Sequence, residues 1–171
     1  MSATGSRVAV YTGSFDPITL GHQNVIERSS RLVDRLIVGI GFHTEKQSLF
    51  SPDERVELLH LATAHLDNVE FQIFSGLAVD FVRECQAHVM IRGIRPLTDM
   101  AAEITMMLAN RELDPDIETV FLMADQRFAH VSSSLIKQIS PLASDEMLAK
   151  FIPQCIVPKI RAKIPASPDC R

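Results

Sequence analysis

Short runs of branched aliphatic residues alternate along this chain with longer amphipathic segments, and this alternation constrains the fold more than any other feature. The runs cover residues 7–11, 36–41, 69–74, 89–91 and 119–123. Each run is nearly all apolar, which is typical of parallel strands that are covered on both faces. The alternation therefore predicts an α/β fold, in which a Rossmann-like sheet of five parallel strands carries helices on both faces.

The segments between these runs have helical spacing. The clearest helix start is the sequence SPDE at residues 51–54, where Ser51 suits an N-cap, Pro52 suits the first turn and Glu54 completes a capping box. This helix is predicted to reach about residue 65. Further helices are predicted over residues 21–32, 77–86, 99–112 and 133–139, with shorter helical pieces after residue 144.

Length and composition indicate one folded unit. With 171 residues, of which 46% are hydrophobic and 22% charged, the chain can bury one core. We expect a single domain over residues 1–171, with an ordered core over about residues 7–164 and a flexible tail over residues 165–171. A net charge of −4 argues against a broad surface for nucleic acid or anionic membranes. No signal peptide or membrane-length apolar segment is evident, so we expect a cytoplasmic protein.

Polar residues that could bind a phosphate follow the first predicted strand. Ligands of open parallel sheets bind beyond the carboxyl ends of the strands, and the first strand leads into TGSFDPITLGH at residues 12–22. Its glycines permit close backbone approach before a helix begins, while Ser14 and His22 add a hydroxyl and a ring donor. For any single part of this string, a tight turn with a solvated histidine is the alternative interpretation.

Basic residues follow two other strands. Lys46 lies in a polar loop after the second run, and Arg92 and Arg95 follow the fourth run. Two planar guanidinium groups at a strand end suit bidentate phosphate binding. A weak surface ion pair with Asp99 or Glu103 would also explain these arginines.

Two later segments carry further candidates. Glu103 and Asn110 are seven residues apart on a predicted helix, which places them on one face and permits a shared site, although a solvated face would look the same. The serine segment, FAHVSSSLIK at residues 128–137, opens the next helix with three serines. An ordinary N-cap explains one of them, whereas hydroxyl and backbone donors at a helix start suit a phosphate tail.

Other phosphate and nucleophile motifs do not fit. The chain has no Gly-Lys followed by Ser or Thr, Thr44 stands where a dinucleotide fingerprint would need its third glycine, and Ser14 lacks the second glycine of a nucleophile elbow. Cys85, Cys155 and Cys170 form neither a disulfide framework nor a zinc pattern. Hydride transfer and covalent catalysis therefore have little support.

The string at residues 12–22 resembles the signature of the nucleotidyltransferase superfamily, which ends in histidine or threonine, any residue, Gly and His. Here that end is TLGH, residues 19–22, and the serine segment resembles the second signature. The variant FDPIT is similar to the phosphopantetheine adenylyltransferase family, because cytidylyltransferases and nicotinate-nucleotide adenylyltransferases favour histidine where Thr19 stands. The resemblance extends along nearly the whole chain. It departs at Met100, Ala101 and Ala102, where the family often has an aromatic and acidic stretch, and at Thr105, where it often has glutamine.

The resemblance implies reversible transfer of an adenylyl group from ATP to 4'-phosphopantetheine, giving dephospho-coenzyme A and pyrophosphate. It implies Mg²⁺ held through the ATP phosphates without protein ligands, a homohexamer, and coenzyme A as a feedback ligand. The implied catalytic residues are His22, Lys46 and Arg95. The implied acceptor-binding residues are Ser14, Lys46, Ala78 and Arg92, and the implied ATP-binding residues are Ser14, Phe15, His22, Gly93, Ile94, Arg95, Glu103, Phe128, Ala129, His130, Val131, Ser132, Ser133 and Ser134. A related enzyme with another acceptor and a non-catalytic nucleotide-binding regulator are the alternatives.

Overall fold

A computed structural model describes residues 6–42, 48–95 and 100–167 of the chain. Its sheet contains the strands β1 (Val8–Gly13), β2 (Arg35–Gly41), β3 (Val69–Phe74), β4 (Val89–Ile94) and β5 (Glu118–Met123). The strands are all parallel and lie in the order β3-β2-β1-β4-β5. The predicted five-stranded parallel sheet is therefore confirmed. After β1 the chain forms β2 and β3 on one side of β1, and it later forms β4 and β5 on the other side. The strand order therefore reverses at β1, and a crevice forms there.

Helices and short turns connect the strands and complete the chain. The helices are α1 (Leu20–Ser30), α2 (Pro52–Ala62), α3 (Ala78–Glu84), α4 (Met100–Leu113), α5 (Ser133–Ile139), α6 (Asp145–Leu148) and α7 (Val157–Lys163). The predicted capping box of α2 is present, since the Ser51 hydroxyl accepts the Glu54 N–H at 3.2 Å and a Glu54 carboxylate oxygen accepts the Ser51 N–H at 2.8 Å. The helix ends at Ala62, earlier than the prediction of about residue 65.

Helices cover both faces of the sheet, as the sequence predicted. On one face, side chains of α1, α2, α5 and α7 bury the larger core, represented by Ile26, Leu59 and Ile136 against Leu36 and Val38. The opposite face carries a smaller core, in which Phe81 and Val82 of α3 pack on Val10, Ile37 and Met90. Helix α4 contacts α3 and β4 on that second face. Within the described ranges, no helix is long and apolar enough to cross a lipid bilayer.

The two edge strands depart from the expectation that every run is covered on both faces. Buried residues dominate the centres of β1, β2 and β4, whereas β3 and β5 expose Glu70, Gln72 and Val120 among others. An edge strand has only one neighbour, and the helices do not cover it completely. Glu70 uses its exposed side for a bidentate ion pair with Arg35, in which both N–H···O distances are 2.7 Å. Of the predicted tail, residues 168–171 lie outside the described residues.

Candidate active site at the reversal of strand order

Two adjoining clefts open at the carboxyl ends of β1 and β4. The first cleft has a volume of about 350 Å³ and lies between the start of α1, the end of β4, the first turn of α4 and the serine segment. The second cleft, of about 570 Å³, lies toward the start of α3. Six residues line both clefts: Thr12, Gly13, Ser14, Arg92, Ser133 and Ser134. Two ligands bound side by side would therefore meet at this shared wall.

Most of the residues predicted from the sequence line one of these clefts. The first cleft brings together Ser14, His22, Arg92, Gly93, Ile94, Arg95, Glu103, Phe128, Val131, Ser132, Ser133 and Ser134. The second cleft contains Ala78 as well as Ser14 and Arg92. Segments that are far apart in the sequence thus converge on one region, although their ligand contacts stay predictions.

Three of the predicted residues that the structure describes line neither cleft, and a fourth lies outside the described residues. The Phe15 side chain is completely buried and packs edge-on against the rings of Tyr11 and His22. His130 packs edge-on against Phe151, and neither His130 nor Ala129 is among the lining residues. Lys46 lies outside the described residues.

His22 is held by the N-terminus of α1. Thr19 is the N-cap, and its hydroxyl oxygen accepts the backbone N–H of His22 at 3.3 Å. In return, the Nδ1 of His22 accepts the backbone N–H of Thr19 at 3.2 Å. Thr19 is almost completely buried, and the His22 ring lies 5.1 Å from the ring of Phe15 between centroids. The cap and this ring contact together orient the imidazole at the edge of the first cleft.

Two glycines allow the backbone to form the floor of the site. A Cβ atom at Gly13 would lie 2.8 Å from the ring of Phe15, and one at Gly93 would lie 2.9 Å from the Tyr11 hydroxyl oxygen. Both distances are shorter than ordinary carbon contacts, so a larger residue would displace these rings. Burial raises the pKa of the Tyr11 hydroxyl, which keeps it protonated beneath β4.

Arg92 stands on the wall that the two clefts share. Its Nε and Nη2 atoms each donate to one oxygen of Glu103 at 2.7 Å, and its Nη1 donates to the backbone oxygen and the hydroxyl of Thr12 at 2.8 and 3.0 Å. The Arg92 and Glu103 side chains are only 26% and 18% exposed. The ion pair with Glu103 that the sequence left as an alternative is therefore present, but it is partly buried, and it fixes the plane of the guanidinium group.

Asp16 organises the second cleft, and sequence reasoning missed it. Its carboxylate accepts the backbone N–H groups of Leu49 and Phe50 at 3.0 and 2.8 Å and the ammonium of Lys137 at 2.6 Å, while the Nε of Arg55 lies 3.7 Å away. Burial alone would raise the pKa of the Asp16 carboxyl, but these hydrogen bonds and the nearby cation hold it below its usual value. The sequence feature that could have identified Asp16 is an acidic side chain within a mostly apolar turn.

Besides the bond from Lys137 to Asp16, three hydrogen bonds hold the serine segment in place. The Ser132 hydroxyl caps α5 by accepting the Leu135 N–H at 3.1 Å. The Ser133 hydroxyl donates to the backbone oxygen of Pro17 at 2.8 Å, and the Nη1 of Arg95 donates to that of Val131 at 3.3 Å. These bonds join the serine segment to the turn before α1 and to the end of β4.

Glu103 and Asn110, which the sequence placed on one helix face, line different clefts. Glu103 lines the first cleft and Asn110 lines the second. Asn110 is buried, and its amide nitrogen donates to the sulfur of Met90 at 3.7 Å.

The donor groups of the first cleft suit phosphate oxygens. Its polar lining consists of backbone and hydroxyl donors, His22 and two arginines, with Glu103 as the carboxylate that Arg92 engages. Among the residues that the structure describes, no group of three His, Cys, Asp or Glu side chains could hold a metal ion. The same donors would fit the oxygens of a polyphosphate, which could bring Mg²⁺ with it.

The comparisons with known proteins agree with this geometry. Residues 10–139 match the family model described as cytidylyltransferase-like. The phosphopantetheine adenylyltransferase of Rhodopirellula baltica is 64% identical over 160 residues, which cover 93% of this chain and 89% of that protein. One from Clostridium botulinum is 44% identical over 164 residues, which cover 96% and 99% respectively.

Solved structures support the fold independently of close sequence identity. A bifunctional NMN adenylyltransferase/ADP ribose pyrophosphatase from Francisella tularensis, in complex with AMP and a manganese ion, has a TM-score of 0.64 at 14% identity. The likeness covers 92% of this chain and 50% of that chain. The family model, the sequence relatives and the convergent clefts together show that this chain belongs to the phosphopantetheine adenylyltransferase family.

Proposed function

We propose that this chain transfers the adenylyl group of ATP to 4'-phosphopantetheine, giving dephospho-coenzyme A and pyrophosphate in a reversible reaction. The observation that carries this proposal is the pair of adjoining clefts that share Ser14, Arg92 and Ser133. A transferase of this kind must bind two phosphate-bearing ligands with their reacting groups in contact.

The two ligands are assigned to the clefts by the residues around them. ATP occupies the first cleft, where Gly93, Arg95 and the serine segment supply donors for its phosphates. Phosphopantetheine occupies the second cleft, with its arm toward Ala78 and its phosphate toward Arg92. The attacking phosphate and the α-phosphate of ATP then meet at the shared wall.

The reaction is a direct displacement. An oxygen of the acceptor phosphate forms a bond to the α-phosphorus of ATP, the bond from that phosphorus to the β-phosphate oxygen breaks, and pyrophosphate leaves with that oxygen. The attacking oxygen already carries negative charge, so no general base is needed. Catalysis then consists of holding two polyanions together and stabilising the charge of the transition state.

Each proposed residue has a defined part in this step. His22 donates a hydrogen bond to the transferring phosphate, and Arg95 binds the ATP phosphates. Lys46, as the resemblance implies, contacts both ligands, and the serine segment holds the departing pyrophosphate. When bound, Mg²⁺ neutralises charge on the ATP oxygens.

Pyrophosphate release tests the proposal and separates it from its alternatives. The purified chain is mixed with ATP and Mg²⁺ and, in parallel reactions, with phosphopantetheine, nicotinate mononucleotide or glycerol phosphate. Release with phosphopantetheine alone supports the proposal. Release only with another acceptor would assign a different transferase, and nucleotide binding without release under any condition would favour a regulator.

We also propose that the chain assembles into a homohexamer. Support comes from one face of α4, where Met100, Ile104 and Leu108 follow one another at four-residue spacing and are 38%, 39% and 58% exposed in the single chain. Apolar side chains exposed together on one helix mark an interaction surface more often than ordinary solvent exposure. Light scattering after size exclusion should give six times the 19.0 kDa chain mass, whereas a monomer mass would contradict the assembly.

We further propose that coenzyme A inhibits the enzyme by feedback and that the protein is cytoplasmic. Coenzyme A combines an adenine nucleotide with a phosphopantetheine arm, so it can compete for both clefts. Added coenzyme A should therefore raise the apparent KM for phosphopantetheine. An unchanged KM for phosphopantetheine would contradict feedback inhibition at this site.

A further inference from the structure

The start of α1 has a histidine where the equivalent start of α2 has a glutamate. In α1 the cap is Thr19 and the third helical residue is His22, whereas in α2 these positions are Ser51 and Glu54. In both helices the cap hydroxyl accepts the N–H of the third residue, and the side chain of that residue accepts the N–H of the cap. A carboxylate is always an acceptor, but a histidine ring nitrogen accepts only when it carries no proton.

The direction of these hydrogen bonds determines the state of His22. The backbone N–H of Thr19 can only donate, and it lies 3.2 Å from Nδ1 of the imidazole. The Thr19 hydroxyl oxygen lies 3.1 Å from the same nitrogen and already accepts the His22 N–H, which leaves its own proton to donate to Nδ1. Two donors from one residue therefore converge on Nδ1. A neutral imidazole with an unprotonated Nδ1 carries its proton on Nε2.

We propose that Thr19 is a positioning residue that holds His22 as the neutral tautomer with its proton on Nε2. This inference rests on the proposed function, in which His22 donates to the transferring phosphate, and it specifies the atom that donates. Because Nδ1 faces the helix cap and His22 lines the first cleft, Nε2–H is the donor that the ring offers to ATP. Thr19, which also lines the first cleft, would then affect turnover through the orientation and tautomer of His22.

A purely structural role for Thr19 predicts something different, and Ser51 provides the matched control. Ser51 caps α2 with the same pair of hydrogen bonds, but it lines neither cleft and its cap partner is Glu54 instead of a histidine. Thr19→Val removes the hydroxyl and keeps the branched shape, Thr19→Ser keeps the hydroxyl, and Ser51→Ala removes a cap elsewhere. If Thr19 only caps a helix, Thr19→Val and Ser51→Ala should have similar effects.

Nitrogen NMR of the imidazole rings tests the tautomer directly. The chain has six histidines, and His22→Gln identifies the His22 signals by their loss. The wild-type spectrum should show a pyridine-like Nδ1 and a protonated Nε2 for His22, as should Thr19→Ser and Ser51→Ala. Thr19→Val removes the hydroxyl donor to Nδ1 and keeps the backbone N–H donor, so these signals should shift partway toward a mixture of tautomers. A protonated Nδ1 in the wild type, or unchanged signals in Thr19→Val, would overturn the inference.

Kinetics of the same variants test whether the tautomer matters. We expect Thr19→Val to lower kcat on the order of tenfold with the ATP KM within about twofold, Thr19→Ser to retain most of kcat, and Ser51→Ala to retain kcat despite a comparable fall in Tm. Equal kcat losses in Thr19→Val and Ser51→Ala would show that Thr19 acts only as a helix cap. A full kcat in His22→Gln would instead overturn the proposed role of His22, while the tautomer measured by NMR would stand.

Discussion

The two clefts lie side by side, yet different interactions hold them in shape. The first cleft depends on helix caps and hydrogen bonds to the backbone, such as those of Thr19, Ser132 and Ser133. The second depends on cations gathered around Asp16, namely Lys137 and Arg55. A helix cap fixes a hydrogen-bond donor in place without burying a charge. A buried ion pair does bury charge, and removal of one partner leaves the other charge uncompensated. Changes at the first cleft should therefore affect turnover, and changes at the second should affect stability or acceptor binding.

The largest effect is expected from His22→Ala, which removes a donor from the first cleft. Loss of one hydrogen bond to a transition-state oxygen typically lowers kcat by about 10²–10³. The ATP KM should change by only about a few-fold, because the bond is made mainly in the transition state. Steady-state kinetics with varied ATP measures both constants. Equal losses in kcat and ATP affinity would place His22 in ground-state binding.

Arg92→Lys should produce the next largest effect, at the wall between the clefts. Lysine cannot reproduce the two-pronged geometry of the guanidinium, so the KM for phosphopantetheine should rise by about 10–100-fold and the KM for ATP should rise much less. Arg35→Lys is the matched control, because Arg35 forms a bidentate pair of the same kind with Glu70 away from both clefts. Equal increases in the two KM values would show that Arg92 does not distinguish the clefts.

Asp16→Asn should lower the free energy of unfolding by about 2 kcal/mol, because it leaves Lys137 and Arg55 without their shared carboxylate. The wild-type pKa of Asp16 is lowered in the folded state, so its contribution is fully present above the unfolded value of about 3.9 and is lost as pH falls through the lower folded value. Denaturant unfolding at several pH values measures this contribution. The difference between wild type and variant should shrink in acid, and a constant difference would contradict the assignment.

The smallest effect is expected from Glu103→Gln, which weakens the orientation of Arg92. The phosphopantetheine KM should rise by about a few-fold, as expected for a partly exposed pair, while the ATP KM stays unchanged. Glu70→Gln on the sheet edge is the control. A selective rise in the ATP KM would instead support the direct ATP contact that the family resemblance implies for Glu103.

The sequence predicted the fold and the segments of the site better than it predicted their contacts. Strand positions follow from local apolar runs, and the α2 cap follows from neighbouring residues, so both are readable from short windows. The pairing of Asp16 with Lys137 joins residues 121 positions apart, and no local pattern specifies it. Phe15 lies within the signature string, but its side chain turns into the core, which only packing decides. The exposure of β3 and β5 likewise depends on their place at the sheet edges.

The stereochemistry of transfer tests most directly the claim that ligands in adjoining clefts react with each other. ATP with a chiral sulfur-substituted α-phosphate is used with phosphopantetheine, and the configuration at phosphorus is determined in the thio-substituted dephospho-coenzyme A. A single in-line displacement across the shared wall predicts inversion. Retention would show two successive displacements through an adenylylated intermediate and would contradict the account.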